Sequence, residues 1–164
     1  MEKYVLSIIA DNRANVLARI AALFARRRFN IDTITASGTS NPEISRITIV
    51  IQGDEDTVRQ IIGQTEKLQD VREVFALEPV NSVTRELLMI KVAADVNNRG
   101  EVRDIADIYK AKIIDLSADS MIMELTGKTE KIDAFLKVMA PYEVLEMCRT
   151  GITGMERVSG KKRS

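Results

Sequence analysis

The residues best placed to do chemistry sit where the first strand-like run turns into the first helix. Asp11-Asn12-Arg13 breaks the β-rich run Tyr4-Val5-Leu6-Ser7-Ile8-Ile9-Ala10 and leads into a helical pattern that starts at Ala14. The first backbone N–H groups of a helix have no partner inside it, and together they favour a carboxylate. A ligand that also carried an ammonium group would need acceptors, and Asn12 and Asn30 can both donate and accept. Each has a plainer reading beside that one. Asn12 could cap the helix, worth about 1 kcal/mol, and Asn30 could be a left-handed residue at a helix end.

Other chemistries find less support. Histidine is absent, which removes the commonest general base and the commonest metal ligand and points away from a catalyst. The single cysteine, Cys148, excludes an internal disulfide, fits a reducing compartment and is expected to be a buried structural thiol. Gly127-Lys128-Thr129 lacks the preceding glycine of a phosphate loop. Arg26-Arg27-Arg28 reads as a solvated helix end favoured by the macrodipole, and Arg46 as a strand residue that pairs across a subunit surface. Lys and Arg balance Asp and Glu at 24 each, so the chain as a whole has no electrostatic pull toward nucleic acid or an anionic membrane. No apolar run nears the roughly 20 residues that span a bilayer, and the opening Met1-Glu2-Lys3-Tyr4-Val5 is unlike a signal peptide. The expected location is the cytoplasm.

The elements that must position these residues are written twice along the chain. In the first half, Val16, Leu17, Ile20, Leu23 and Phe24 line one face of a helix over 14–27, followed by an alternating strand over 30–37. A turn with Gly38, Asn41 and Pro42 leads to a strand over 45–52, an amphipathic helix over 54–67 and a strand over 71–77. The second half repeats the order with strands over 87–92, 112–116, 121–125 and 142–148 and helices over 99–109 and 128–139. The fold class is therefore α+β: two ferredoxin-like βαββαβ domains in tandem, at 1–78 and 85–158, with a linker at 79–84 and a disordered basic tail at 159–164. Aromatic residues are only 4% of the chain, so Ile, Val, Leu, Met and Ala must fill both cores, with Met121, Met123, Met139 and Met147 in the second. Two helices cover one face of a four-stranded sheet; apolar residues on both strand parities imply that the other face packs on something, and oligomerisation is expected.

Asp11-Asn12-Arg13-Ala14-Asn15-Val16-Leu17, with Leu23-Phe24-Ala25-Arg26-Arg27-Arg28-Phe29-Asn30-Ile31, resembles an ACT domain. Further stretches are similar to the small subunit of acetohydroxyacid synthase, also called acetolactate synthase. They are Phe29-Asn30-Ile31-Asp32-Thr33-Ile34-Thr35, Ile44-Ser45-Arg46-Ile47-Thr48-Ile49 and Gln64-Thr65-Glu66-Lys67-Leu68 in the first half. In the second they are Arg85-Glu86-Leu87-Leu88-Met89-Ile90-Lys91-Val92, Lys112-Ile113-Ile114-Asp115 and Arg149-Thr150-Gly151-Ile152. The resemblance runs from Tyr4 to Arg157. It implies a non-catalytic regulatory subunit of branched-chain amino acid biosynthesis, dimeric through its ACT domain. Such a subunit activates a large catalytic subunit and confers feedback control by valine or a related amino acid. Thiamine diphosphate, Mg²⁺ and FAD belong to that large subunit and none to this chain.

The resemblance also implies an effector site shared between two copies, with Asn12 and the amides of Asn15, Val16 and Leu17 from one protomer and Asn30 and Ile31 from its partner. Apolar neighbours would receive an isopropyl group, worth about 1.5–3 kcal/mol when fully buried. The family usually has glycine where Asn15 and Arg28 stand. Both changes flank the implied pocket, and the expectation is that effector binding is weakened, altered in specificity or lost while activation survives. A stand-alone amino-acid sensor is the alternative function. An RNA-binding domain of this topology would need exposed aromatics on its central strands, and an acylphosphatase a glycine-rich phosphate cradle; neither is present in the sequence.

Overall fold

The computed structural model describes residues 2–158; the tail expected at 159–164 lies outside them. The first half holds β1 (Glu2–Asp11), α1 (Val16–Arg26), β2 (Ile31–Gly38), β3 (Ile44–Gly53), α2 (Glu55–Thr65) and β4 (Val71–Ala76). The second holds β5 (Ser82–Ala93), α3 (Arg99–Tyr109), β6 (Lys112–Leu116), β7 (Ser120–Gly127), α4 (Thr129–Met139) and β8 (Val144–Arg149), followed by a short β9 (Thr153–Glu156). The sheets run β2-β3-β1-β4 and β6-β7-β5-β8, with β9 paired to β5. Neighbours within each four-strand run are antiparallel. This is the βαββαβ order, made twice.

In the first sheet the alternation of β1 decides what is buried. Leu6, Ile8 and Ala10 are fully buried and join Ile47, Ile49 and Ile51 of β3 beneath Ile20 and Phe24 of α1 and Val58 and Ile61 of α2. Helix α2 starts sharply because Asp54 accepts the Thr57 N–H at 2.8 Å, which also holds the Asp54 carboxyl below the usual carboxylate range. The second core uses the same plan with softer filler. Leu88, Ile90 and Val92 of β5 and Met121, Met123 and Leu125 of β7 pack under Val102, Ile132, Phe135 and Met139. Tyr109 meets Phe135 edge-on, with ring centroids 5.4 Å apart.

Helices α1 and α3 end alike. Arg28 N–H donates to the Ala25 carbonyl and Phe29 N–H to that of Phe24; Lys110 and Ala111 repeat the pair with Asp107 and Ala106. This is the Schellman motif, and its left-handed position is filled by Arg28 (φ 58°) and Lys110 (φ 61°) rather than glycine.

The structure corrects several expectations. Ser82 to Thr84, read as linker, open β5, and Ser82 is buried. Residues 152–158, read with the second half, return to the first: the compact units are 2–83 with 152–158, and 84–151. The Arg157 N–H donates to the Asn81 carbonyl at 2.7 Å and its Nε to that of Val80 at 3.2 Å, which draws the segment back. Cys148 is exposed rather than buried, because β8 is an edge strand and Cys148 sits opposite Met89 on the face away from the helices. Met147 is half exposed too, whereas Met121, Met123 and Met139 are core as expected.

One buried charge organises the start of β5. Glu86, 3% exposed, accepts from Arg149 of β8 and from the Thr129 hydroxyl at the start of α4, and Arg149 also reaches Asp133 at 2.8 Å. The Glu86 carboxylate beside it holds the Arg149 guanidinium above its usual range. Phe135 anchors the core beneath. Phe135→Ala is expected to cost about 3–5 kcal/mol, read as a lower urea midpoint at unchanged m-value.

Candidate functional site

The candidate site is the loop Asp11–Asn15 and the first turn of α1. Its position follows from sheet register, since Asp11 is the last residue of β1 and lies opposite Ile44. Two braces hold the loop. On one side the Asp11 N–H donates to the Asp70 carbonyl at 2.8 Å, Arg72 Nε donates to the Asp11 carboxylate at 2.7 Å, and Arg19 of α1 pairs with the Asp70 carboxylate. On the other, the Asn12 N–H donates to the Glu43 carbonyl at 2.7 Å and the Asn12 side-chain amide to that of Pro42 at 2.9 Å.

Asn12 is therefore a brace and not a helix cap. With its NH₂ group committed to Pro42, its carbonyl oxygen remains to accept from a ligand. The residue before the helix is Asn15, in the left-handed region at φ 71°, and no side chain caps α1. A left-handed residue cannot continue the helix backward, so α1 begins at Val16 and not at Ala14. The N–H groups of Arg13, Ala14, Asn15, Leu17 and Ala18 have no acceptor among the described residues. Val16 makes only a long bond, 3.4 Å, to the Arg13 carbonyl. The loop thus presents a set of open donors at the positive end of a helix dipole, and this arrangement favours a carboxylate.

Asn12, Asn15, Val16 and Leu17 lie together at this end. The Val16 side chain is buried and offers only its backbone, while Leu17 is 44% exposed. Asn30 and Ile31 are elsewhere. They stand past the far end of α1, whose 11 residues rise about 16 Å at 1.5 Å each. Asn30 is not the left-handed residue; Arg28 is. Its amide reaches toward Asp32 at 3.4 Å, and Ile31 opens β2 opposite Ile51. One chain does not bring the two groups together.

Arg19, Asp70 and Arg72, which with Asp11 carry the loop's geometry, escaped the sequence reading. Asp11 and Arg72 are 61 positions apart, and only the pairing of β1 with β4 makes them neighbours. Arg46 is half-buried. Its guanidinium lies 6.0 Å from the centre of the Phe75 ring, burial pushes its pKa down, and the charges of Glu156 and Glu73 oppose that shift. A shallow depression of about 120 Å³ lies on the open face of the second sheet, between Met89, Ile122 and Cys148 and the Lys91–Glu146 ion pair. No group of three His, Cys, Asp or Glu side chains is placed to hold a metal ion, and no helix is long and apolar enough to cross a membrane, among the described residues.

Two βαββαβ sheets in tandem, the first with an uncapped helix at a braced loop, define a pair of ACT-like ferredoxin folds. Residues 6–73 match the family model for an AHAS small subunit-like ACT domain, and residues 85–158 that for the small subunit of acetolactate synthase. A probable acetolactate synthase small subunit from Archaeoglobus fulgidus is 40% identical over 97% of this chain and 99% of its own length. The acetolactate synthase small subunit of Mycolicibacterium smegmatis is 37% identical over 94% of this chain and 91% of its own. The crystal structure of the small subunit from Thermotoga maritima superposes with a TM-score of 0.90 at 37% identity, covering 96% of this chain and 98% of that one. The chain belongs to the acetolactate synthase small subunit family.

Arg28 is the strained residue beside the second group of candidate positions. Arg28→Gly is expected to stabilise the protein by about 0.5–1 kcal/mol, the left-handed penalty less the entropy glycine adds to the unfolded chain, measured by urea unfolding.

Proposed function

We propose that this chain is the non-catalytic regulatory subunit of an acetolactate synthase, acting in the cytoplasm on a large catalytic subunit that it activates. Thiamine diphosphate, Mg²⁺ and FAD are assigned to that large subunit. The fold built from β1 to β4 is the effector domain and the fold built from β5 to β8 the companion domain. Valine or a related branched-chain amino acid binds at the loop Asp11–Asn15. Its carboxylate takes the amides of Asn15, Val16 and Leu17, and its ammonium group takes the Asn12 side-chain oxygen. Asn30 and Ile31 of a second copy close the site.

The observation that carries this reading is the uncapped start of α1, with its row of open backbone donors, in a chain of this family. The helix length supports the two-copy arrangement, because groups separated by the whole of α1 can meet only across a dimer. At position 15 an asparagine side chain, where the family usually has glycine, takes room from the ligand and weakens the site without touching activation.

The test is synthase activity of the large subunit with and without this chain across a valine series. Activity is expected to rise on adding the chain and to fall again with valine. An unchanged rate on addition, with no association in a pull-down, would sink the subunit reading and leave a free-standing amino-acid sensor. In isothermal titration, Asn15→Gly is expected to bind valine about two- to fivefold more tightly, the equivalent of about 0.5–1 kcal/mol; weaker binding would refute the steric role of Asn15.

A further inference from the structure

The two halves keep one register from the end of their first strand to the end of their first helix. The Asp11 N–H donates to the Asp70 carbonyl and the Ala93 N–H to that of Glu143, just before β4 and β8 respectively. At the far end Arg28 and Phe29 close α1 as Lys110 and Ala111 close α3. The separation is the same at both ends, so no residue is gained or lost between them. Asn97, Asn98 and Arg99 therefore hold the places of Asn15, Val16 and Leu17, the amides assigned to the effector carboxylate. Asp95 holds the place of Arg13.

In the first loop the Asn15 and Leu17 amides have no acceptor among the described residues, and Val16 has only its long bond. In the second loop all three counterparts are spent on one residue. Asp95 Oδ1 accepts the Asn97 N–H at 2.8 Å and the Asn98 N–H at 3.3 Å, and the Asp95 carbonyl takes the Arg99 N–H at 2.9 Å. Asp95 Oδ2 accepts from the Asn97 side-chain amide at 3.2 Å. The bond from the Asn97 backbone leads the causes that hold the Asp95 carboxyl below its usual range. A carboxylate is thus already seated on these donors, and it belongs to the protein. Arg13 has no side-chain acceptor to offer, and its Nε lies 3.8 Å from the Asp11 carboxylate. The two turns differ at one position, since Asn15 is left-handed and Asn97 is not.

We propose that Asp95 is a built-in substitute for the effector carboxylate, which keeps the second loop shut and confines effector binding to the first half of each chain. For what the first loop binds, the inference rests on the effector reading above. The side chain at this one position, Arg13 in the first loop and Asp95 in the second, separates a receptor from its closed counterpart. An attached carboxylate gives up far less freedom on binding than a free one, so a dissolved carboxylate does not displace it. Removing the Asp95 side chain leaves the Asn97 and Asn98 amides open, with room for a carboxylate from solution.

The test uses the full chain as wild type, Asp95→Ala, Asp95→Arg and Asp95→Asn, with acetate as the probe and chloride as its control. Asp95→Arg gives the second loop the residue of the first, and Asp95→Asn keeps an oxygen for both amides. In Asp95→Ala and Asp95→Arg the Asn97 and Asn98 amides are expected to exchange about tenfold faster than in the wild type. Acetate is expected to slow them again and to shift their resonances, and chloride to do neither. In the wild type and Asp95→Asn these two amides are expected to ignore acetate. Valine is expected to bind the wild type as a single molecule per chain, moving the amides of Asn15, Val16 and Leu17 and not those of Asn97 and Asn98. A merely structural role for Asp95 predicts faster exchange with no rescue by acetate. Acetate without effect in both opened variants, or valine moving Asn97 and Asn98 in the wild type, overturns the proposal. If the wild type takes no valine while acetate rescues the opened variants, the effector reading falls and the role of Asp95 stands.

Discussion

The site depends on one constraint, the ten-residue register between β1 and β3 that runs from Glu2 opposite Gly53 to Asp11 opposite Ile44. That register puts Leu6, Ile8 and Ala10 under the helices, and it also decides where β1 stops. Because Asp11 ends beside Ile44, the next residue, Asn12, falls against Glu43 and Pro42, and both of its donors find carbonyls there. On the other side of β1, Asp70, just before β4, and Arg72, within it, reach the same few residues. A slip of one residue would reverse the buried face and strand all of these contacts at once. The loop is thus ordered by the sheet itself.

The repetition in the chain makes the second half an internal control on the first. Both sheets have the same strand order, both first helices end in the same motif with a basic residue at the left-handed position, and both loops lead into an 11-residue helix with no side-chain cap bond at its start. What differs is the electrostatics of the loop. Arg72 and Arg13 flank Asp11 in the first loop, whereas in the second Ala93 holds the place of Asp11 and Asp95, at the place of Arg13, bonds the amides ahead of it. Duplicated architecture with diverged loops matches the general rule that fold and site vary separately.

Much of the fold was legible from periodicity alone. The alternation in 30–37 and the helical spacing of Val16, Ile20, Leu23 and Phe24 placed a strand and a helix within a few residues of where they fall. What the sequence concealed were features set by pairing between distant segments. Ser82 to Thr84 read as polar linker, yet they begin a strand. Cys148 read as buried, yet its strand is an edge and its parity faces away from the helices. At the site, the open helix start and Asn12 were visible, but Asn12 was split between capping and binding. Only the position of Pro42, fixed by the β2–β3 turn, reveals which end of its amide is free. Asp11 and Arg72 gave no local signal, since nothing in a pair of charges 61 positions apart marks them as partners.

The return of residues 152–158 to the first unit bears on how the chain is made. At the ribosome the β1–β4 sheet emerges early, but Arg157, which ties down Val80 and Asn81, and Glu156, which offsets the buried charge of Arg46, are synthesised only after the whole of the second unit. At about 5–20 residues per second the nascent first unit waits several seconds for its last segment. During that interval Arg46 is without the Glu156 charge, and the earliest-made domain is among the last to be finished.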